Sequence, residues 1–353
     1  MKQDIVKTYY GSTLAGSCDL KTDACSTLAA PSDRVKAAIA RVHDEVSSRY
    51  YGCGLAIPER LEGCSVLDLG SGAGRDVYVL SQLVGERGSV VGVDMTDEQL
   101  AVARAHEAWH AEQFGYGAPN TRFLKGYLED LGALDLEPES FDVIISNCVF
   151  NLCTDKPAVF RAAHRLLKPG GELFFADVYA DRRIPEHLVD DPVLYGECLS
   201  GALYWGDYQA IARDAGFADP RIFEHRPLAV LDAGLKARLE PIRFASVTAR
   251  LMKLDTLEPT PEDYGQAVIY RGGLPGMEGR FELDVTHTFE AGRVVPVSGN
   301  TLAMITGSRF APFFDVVGEG GTHFGPFEEP AGPDLFEDSL PDAAPPPVKS
   351  GCC

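Results

Sequence analysis

The sequence predicts an α/β fold, a largely parallel Rossmann-like sheet with helices on both faces, followed by a small C-terminal α+β domain with an antiparallel sheet. Three observations carry this. VLDLGSGAGRDVYVL, residues 66–80, runs from an apolar strand through a glycine turn into an amphipathic helix. Strand and helix patterns then alternate: helix 75–84, strand 89–94, helix 98–114, strands 121–125 and 141–146, helix 157–168 and strand 172–178. Beyond a Pro-containing linker at 257–261, short alternating stretches flank a glycine-rich run at 272–279.

The chain divides into an N-terminal extension (1–50), the main domain (51–256), a small domain (257–327) and an acidic, Pro-rich tail (328–353) expected to be disordered. In the extension, Val35, Ala38, Ile39, Val42 and Val46 predict a helix over 33–48. Tyr50-Tyr51-Gly52-Cys53-Gly54 breaks that pattern, and its glycines leave the Cys53 thiol open to approach. A packed turn around a buried cysteine is the alternative.

At the glycine turn, Val66, Leu67 and Leu69 form a buried strand carrying Asp68, and Gly70-Ser71-Gly72-Ala73-Gly74 follows. Glycine tolerates positive φ and close ligand approach, while the free N–H groups of the next helix favour an anionic group. The strand at 89–94 ends on Asp94, placed to accept hydrogen bonds from two ribose hydroxyls. Thr96 and Asp97 can cap the following helix, which leaves Asp94 for that role. A nicotinamide dinucleotide and S-adenosylmethionine (AdoMet) both fit the layout; Asp68, where an α-ammonium could be met, favours AdoMet.

Further along, Phe141–Ser146 is an apolar-leaning strand with Asn147 and Cys148 at its carboxyl end, the edge where open α/β sheets bind ligands. Gly126, Leu128 and Glu129 follow the third strand. Lys168-Pro169-Gly170-Gly171 stops the helix before the strand at 172–178. Residues 181–216 read as helices and loops containing GECLSGALYW, a candidate pocket wall. Arg221–Val230 and Phe244–Leu254 are the last strands of the sheet. In the small domain, 267–271 and 280–289 are expected to form an antiparallel sheet, with one helix near 300–308.

Composition narrows the function. A formal charge of -20 and the lack of a Lys/Arg cluster exclude a nucleic-acid partner. The start lacks a signal-peptide pattern and no window approaches twenty apolar residues, so a soluble, cytoplasmic protein with no membrane partner is expected. In a reducing compartment the nine cysteines are expected to be free, catalytic or metal-binding. Cys53, Cys148 and Cys198 each occupy a glycine-flanked or strand-end position. Were they to meet, three thiolates would suit a soft centre such as arsenic(III). No Cys-x-x-Cys pair is present, which disfavours structural zinc, and no structural metal is expected.

DLKTDAC, RYYGCGLAIPE, VLDLGSGAGRDVYVLSQLVGERG, GVDMT, SNCVFNL and YGECLSGALYW together resemble the arsenite S-adenosylmethionine methyltransferases, over nearly the whole chain. The resemblance implies a class I methyltransferase sheet, its last inserted strand antiparallel, with an arsenic-binding segment at 181–216. It implies that Cys148 and Cys198 hold arsenic throughout catalysis, that Cys53 is the third As(III) ligand, and that Cys25 is the redox partner of Cys53. Tyr51, Asp68, Gly70, Ser71, Gly72, Gly74, Arg75, Asp94, Met95, Leu128, Glu129 and Asn147 would hold AdoMet. Cys18, Cys64 and Cys153 are taken as structural, although Cys153 stands where the family pattern has an apolar residue. Implied partners are arsenite and methylarsenite, free or as thiol conjugates, with thioredoxin or glutathione as reductant. The competing readings are a methyltransferase for a small organic acceptor, which needs a general base, and a metalloid-binding sensor.

Overall fold

The computed structural model describes residues 31–50 and 56–337. In chain order these form α1 (Asp33–Ile39), α2 (Asp44–Ser47), β1 (Ser65–Leu69), α3 (Arg75–Val84), β2 (Ser89–Asp94), α4 (Asp97–Ala105), α5 (Glu107–Phe114), β3 (Thr121–Lys125), β4 (Phe141–Asn147) and α6 (Lys156–Leu166). There follow β5 (Leu167–Ala180), α7 (Glu186–Val189), α8 (Pro192–Gly196), β6 (Leu203–Tyr204), α9 (Trp205–Asp214), β7 (Arg221–Leu228), α10 (Ala233–Leu239) and β8 (Phe244–Met252). The C-terminal part holds β9 (Glu262–Asp263), β10 (Ala267–Tyr270), β11 (Arg280–Glu282), β12 (Thr288–Glu290), β13 (Val294–Pro296), α11 (Gly299–Thr306), β14 (Phe314–Val317) and β15 (Gly325–Pro326).

Strands order as β3-β2-β1-β4-β5-β8-β7, with β6 added beside β5. β1 to β5 are parallel, whereas β8 runs antiparallel between β5 and β7, as expected. The chain builds outward from β1 to β3 and returns to place β4 on the other side of β1. That reversal opens a crevice at the carboxyl ends of β1 and β4. Leu67, Leu69, Ile144, Phe175 and Val247 pack one face of the sheet with Val159, Phe160 and Ala163 of α6; Val66, Val143 and Ile145 pack the other with Val77, Leu80 and Leu83 of α3. Strands buried on both faces explain the near-continuous apolar runs.

Several elements depart from expectation. The helix expected at 33–48 is two, because the chain turns at 40–43 and His43 restarts it, its Nδ1 accepting the Glu45 N–H at 3.2 Å. The helix expected at 98–114 breaks at His106, which leaves helical geometry at φ -107°, ψ 5°. Below that break His110 is buried, accepts the His43 backbone N–H at 3.1 Å and is pushed down to about 4 by desolvation. Lys168-Pro169-Gly170-Gly171, expected to separate helix from strand, is instead a bulged start of β5. Gly170 donates to the Lys253 carbonyl, Lys253 donates to the Gly171 carbonyl, and the β4 register shifts there.

In the C-terminal part, β10 pairs with β13 and β14, while β11 and β12 form their own hairpin, so 267–271 and 280–289 do not share one sheet. Residues 328–337, expected within the disordered tail, are placed on the body. Glu329 lies 3.2 Å from Arg221 and 2.7 Å from His287, Leu335 is buried, and the Phe336 carbonyl accepts from Arg243. Among the described residues no helix is long and apolar enough to cross a membrane.

Candidate active site

One cavity opens at the crevice above β1 and β4. It is lined by the glycine turn, the ends of β2 and β4, the loop after β4, and Val46, Arg49 and Tyr50 of the extension. Of the residues expected to hold AdoMet, it brings together Asp68, Gly70, Ser71, Gly72, Arg75, Asp94, Met95, Leu128, Glu129 and Asn147. Gly74 caps α3 from beneath the turn, and Tyr51 lies outside the described residues.

The glycines act differently. Gly72 has φ +52° and nothing within 4 Å of a built Cβ, so its backbone faces open cavity. Gly70, at φ +82°, would drive a Cβ to 2.4 Å from Val149, so its missing side chain seats the loop carrying Cys148 directly on the turn. A Gly70 and Ser71 N–H pair anchors the turn to the Val93 carbonyl at 2.8 and 3.0 Å.

Asp94 accepts the Gly72 N–H at 2.9 Å and the Thr96 N–H at 2.8 Å, one on each oxygen, which fixes the carboxylate while leaving further lone pairs toward the cavity. Thr96 makes no side-chain cap of its own. Burial raises the pKa of Asp94, opposed by these backbone hydrogen bonds, and raises that of Asp68 well above the ordinary range, with Asp76 and Asp94 adding repulsion. Clustered carboxylates in a shielded cavity favour a cationic guest. The Ser71 Oγ and Asp76 Oδ1 are buried without a hydrogen-bond partner among the described residues, orphaned groups that a polar ligand would satisfy. A sulfonium amino acid carrying a ribose therefore fits this donor and acceptor set.

Just past the carboxyl end of β4, Cys148 lines the same cavity, and the fold brings another of the expected cysteines to it. Cys198 donates its thiol hydrogen to the Cys148 carbonyl, with Sγ 3.5 Å from the oxygen. Both residues are almost fully buried. Among the described residues only Arg60, Glu139, Cys148 and Cys198 are non-glycines with positive φ, the two cysteines at 55° and 60°. Such backbone strain persists only where the surroundings over-determine it, and it concentrates at functional sites. Cys64, Cys153 and Cys198 are free thiols, whereas Cys148 is disulfide-bonded. Cys25 and Cys53, like Cys18, Cys352 and Cys353, lie outside the described residues.

Sequence reasoning missed what holds these loops. Asp177, buried on β5, accepts the backbone and side-chain N–H groups of Asn151 at 3.0 and 2.7 Å and is pushed up to about 7 by desolvation. A Cβ on Gly201 would lie 2.1 Å from the Asn151 carbonyl, and Tyr195 donates to the Leu152 carbonyl at 2.7 Å, so segment 194–201 is locked onto the loop bearing Cys148. Burial raises the Cys153 thiol pKa, and its Sγ donates to the Val149 carbonyl, while the residue also lines the cavity. Cys64 likewise donates to the Arg60 carbonyl at 3.7 Å. Glu129 accepts from both the N–H and the hydroxyl of Thr154 at 2.8 and 3.0 Å, tying the third strand's end to the same loop. His164, on α6, packs against Phe217 and is not among the cavity-lining residues.

Residues 61–216 match the methyltransferase domain model, and 264–332 match the arsenite methyltransferase C-terminal domain. An arsenite methyltransferase of Aquipseudomonas alcaligenes is 58% identical over 323 residues, covering 92% of this chain and 93% of the relative. The chain belongs to the arsenite methyltransferase family. The Homo sapiens arsenite methyltransferase is 46% identical over 313 residues, 88% of this chain and 83% of that one. The crystal structure of an arsenic(III) S-adenosylmethionine methyltransferase from Chlamydomonas reinhardtii superposes with a TM-score of 0.82 at 46% identity, covering 85% of this chain and all (100%) of the other. Members of this family take AdoMet as methyl donor, which agrees with the cavity's acidic lining. Asp94→Ala is expected to weaken AdoMet binding by roughly one to two powers of ten, since hydrogen bonds to a charged group contribute about 1.5–3 kcal/mol. Calorimetry checks this, and an unchanged affinity removes Asp94 from the site.

Proposed function

We propose that this chain transfers methyl groups from AdoMet to trivalent arsenic held by Cys148 and Cys198, with Cys53 as third sulfur for inorganic arsenite, giving methyl- and dimethylarsenicals. The observation that carries the reading is the contact of Cys198 with Cys148 on a loop that packs on the AdoMet turn through Gly70 and Val149. Donor and acceptor sites thereby share one wall.

When bound, AdoMet supplies an electrophilic methyl group. Asp94 would orient its ribose, with Asp68 and Asn147 lining the same cavity. Arsenic held by three thiolates is neutral and keeps a lone pair, so it is already the nucleophile and no residue has to remove a proton. The chain's contribution is positioning, which can supply about 7–11 kcal/mol of the barrier. The organic-acceptor reading needs a general base such as His or Glu; the lining among the described residues holds no histidine, and its Glu129 accepts from the N–H and hydroxyl of Thr154.

Methylation formally oxidises arsenic to the pentavalent state. Two thiols passing to a disulfide return the two electrons, and Cys25 with Cys53 is the pair proposed for this, reduced again by thioredoxin or glutathione. The reading places the reaction in a reducing cytoplasm, on arsenite, methylarsenite or their thiol conjugates.

The test follows labelled methyl from AdoMet to arsenite and to methylarsenite with thioredoxin and glutathione present. Wild type should label both; Cys25→Ser and Cys53→Ser should lose arsenite and retain methylarsenite. No labelled arsenical from protein that binds AdoMet rejects the reading in favour of an organic acceptor, and stoichiometric arsenic binding without product favours a sensor.

A further inference from the structure

Asp76 was not among the residues expected to bind anything. It is the second residue of α3, where a carboxylate ordinarily needs no explanation beyond the helix dipole. Its surroundings ask for more. It is 6% exposed and lines the same cavity as Asp68 and Asp94. The side chains of Asn147 and Tyr50 hydrogen-bond its carboxyl group, yet Oδ1 has no hydrogen-bond partner among the described residues. That same Oδ1 is ion-paired with Arg75 at 3.9 Å, too far for a hydrogen bond, and the Arg75 guanidinium lies 3.7 Å from the centre of the Tyr50 ring.

An orphaned carboxylate oxygen at this depth is costly unless a ligand donates to it. Adjacent Arg75 and Asp76 offer one positive and one negative group to one cavity, the complement of an α-amino acid zwitterion. Asp94 is already held by two backbone N–H groups at the end of β2, and the proposed function gives it the ribose. We infer that Asp76 holds the α-ammonium of the methionyl part of AdoMet, with Arg75 taking its α-carboxylate, so that the pair aims the sulfonium end at the Cys148 loop through Asn147. This rests on AdoMet binding in the described cavity. Asp76 is a positioning residue for the donor and does not touch arsenic.

The experiment is calorimetric binding of AdoMet, S-adenosylhomocysteine and 5′-methylthioadenosine to wild type, Asp76→Asn and Arg75→Met. S-adenosylhomocysteine keeps the amino acid but lacks the sulfonium charge; 5′-methylthioadenosine lacks both. Each variant is expected to bind AdoMet and S-adenosylhomocysteine roughly 10- to 100-fold more weakly, with 5′-methylthioadenosine unchanged. Loss confined to AdoMet would assign Asp76 to the sulfonium and overturn the inference. Equal loss of all three would make it a scaffold residue, and no loss would remove it from the site. Wild type that binds none of the three would instead reject the cavity as the AdoMet site. Should Asp76→Asn fail to fold, Asp76→Ser is judged by the same three ligands.

Discussion

A Cys198→Ser variant is expected to lose methylation of arsenite and methylarsenite alike, by a factor on the order of a thousand or more, while AdoMet affinity and melting temperature stay near wild type. The argument is one of softness and position. Arsenic(III) prefers sulfur, and a serine hydroxyl at the same place is a hard, protonated donor that cannot replace a thiolate. Serine matches cysteine closely in shape and can adopt the same left-handed backbone at φ 60°, so the fold around Tyr195 and Gly201 is retained. What is lost is the fixed geometry between arsenic and the donor. Cys64→Ser serves as the control, since Cys64 is a buried thiol at the opposite end of β1, bonded only to the Arg60 carbonyl among the described residues. Labelled arsenicals from Cys198→Ser within tenfold of wild type would remove Cys198 from the arsenic site.

The glycine turn, the strand ending at Asp94 and the inserted antiparallel β8 were legible because each is written in a local pattern or in the family's motif order. The approach of Cys198 to Cys148 was implied only by the family resemblance and not by any local pattern, since it depends on Gly201 fitting against Asn151, which no periodicity encodes. Asp76 escaped for a different reason: an acidic residue in a helix's first turn has an ordinary explanation, and only its burial and its orphaned oxygen distinguish it. The run Lys168–Gly171 misled because Pro and Gly usually end elements, whereas here they form a bulge paired to β8. Pairing of β10 with β13 and β14 was illegible because short strands between glycine turns can be matched in several registers.

The second large effect concerns stability. Arg250→Leu is expected to cost about 3–5 kcal/mol and to lower the melting temperature by about 10 °C. Arg250 is fully buried on β8, sandwiched by Phe174, Phe223 and Phe310. Its Nη2 donates to Glu59 at 2.6 Å and its Nη1 to the Leu283 carbonyl at 2.7 Å, while Nε lies 3.0 Å from Glu172 without hydrogen-bond alignment. Glu172 is itself fully buried, its other oxygen 2.5 Å from Arg309. One side chain thus ties the sheet to the C-terminal part through Leu283 and to the segment entering β1 through Glu59. Leucine removes the charge and leaves Glu172 with one cation for two carboxylate oxygens, in a place where water cannot replace the other. The size of the loss therefore comes mostly from the abandoned carboxylate. If so, the double variant Arg250→Leu with Glu172→Gln should recover part of the loss, because the buried charge is removed with its partner. Thermal denaturation of the two variants decides it. A single variant melting within about 2 °C of wild type, or a double variant no more stable than the single, would show that the ion pair is not what joins these parts.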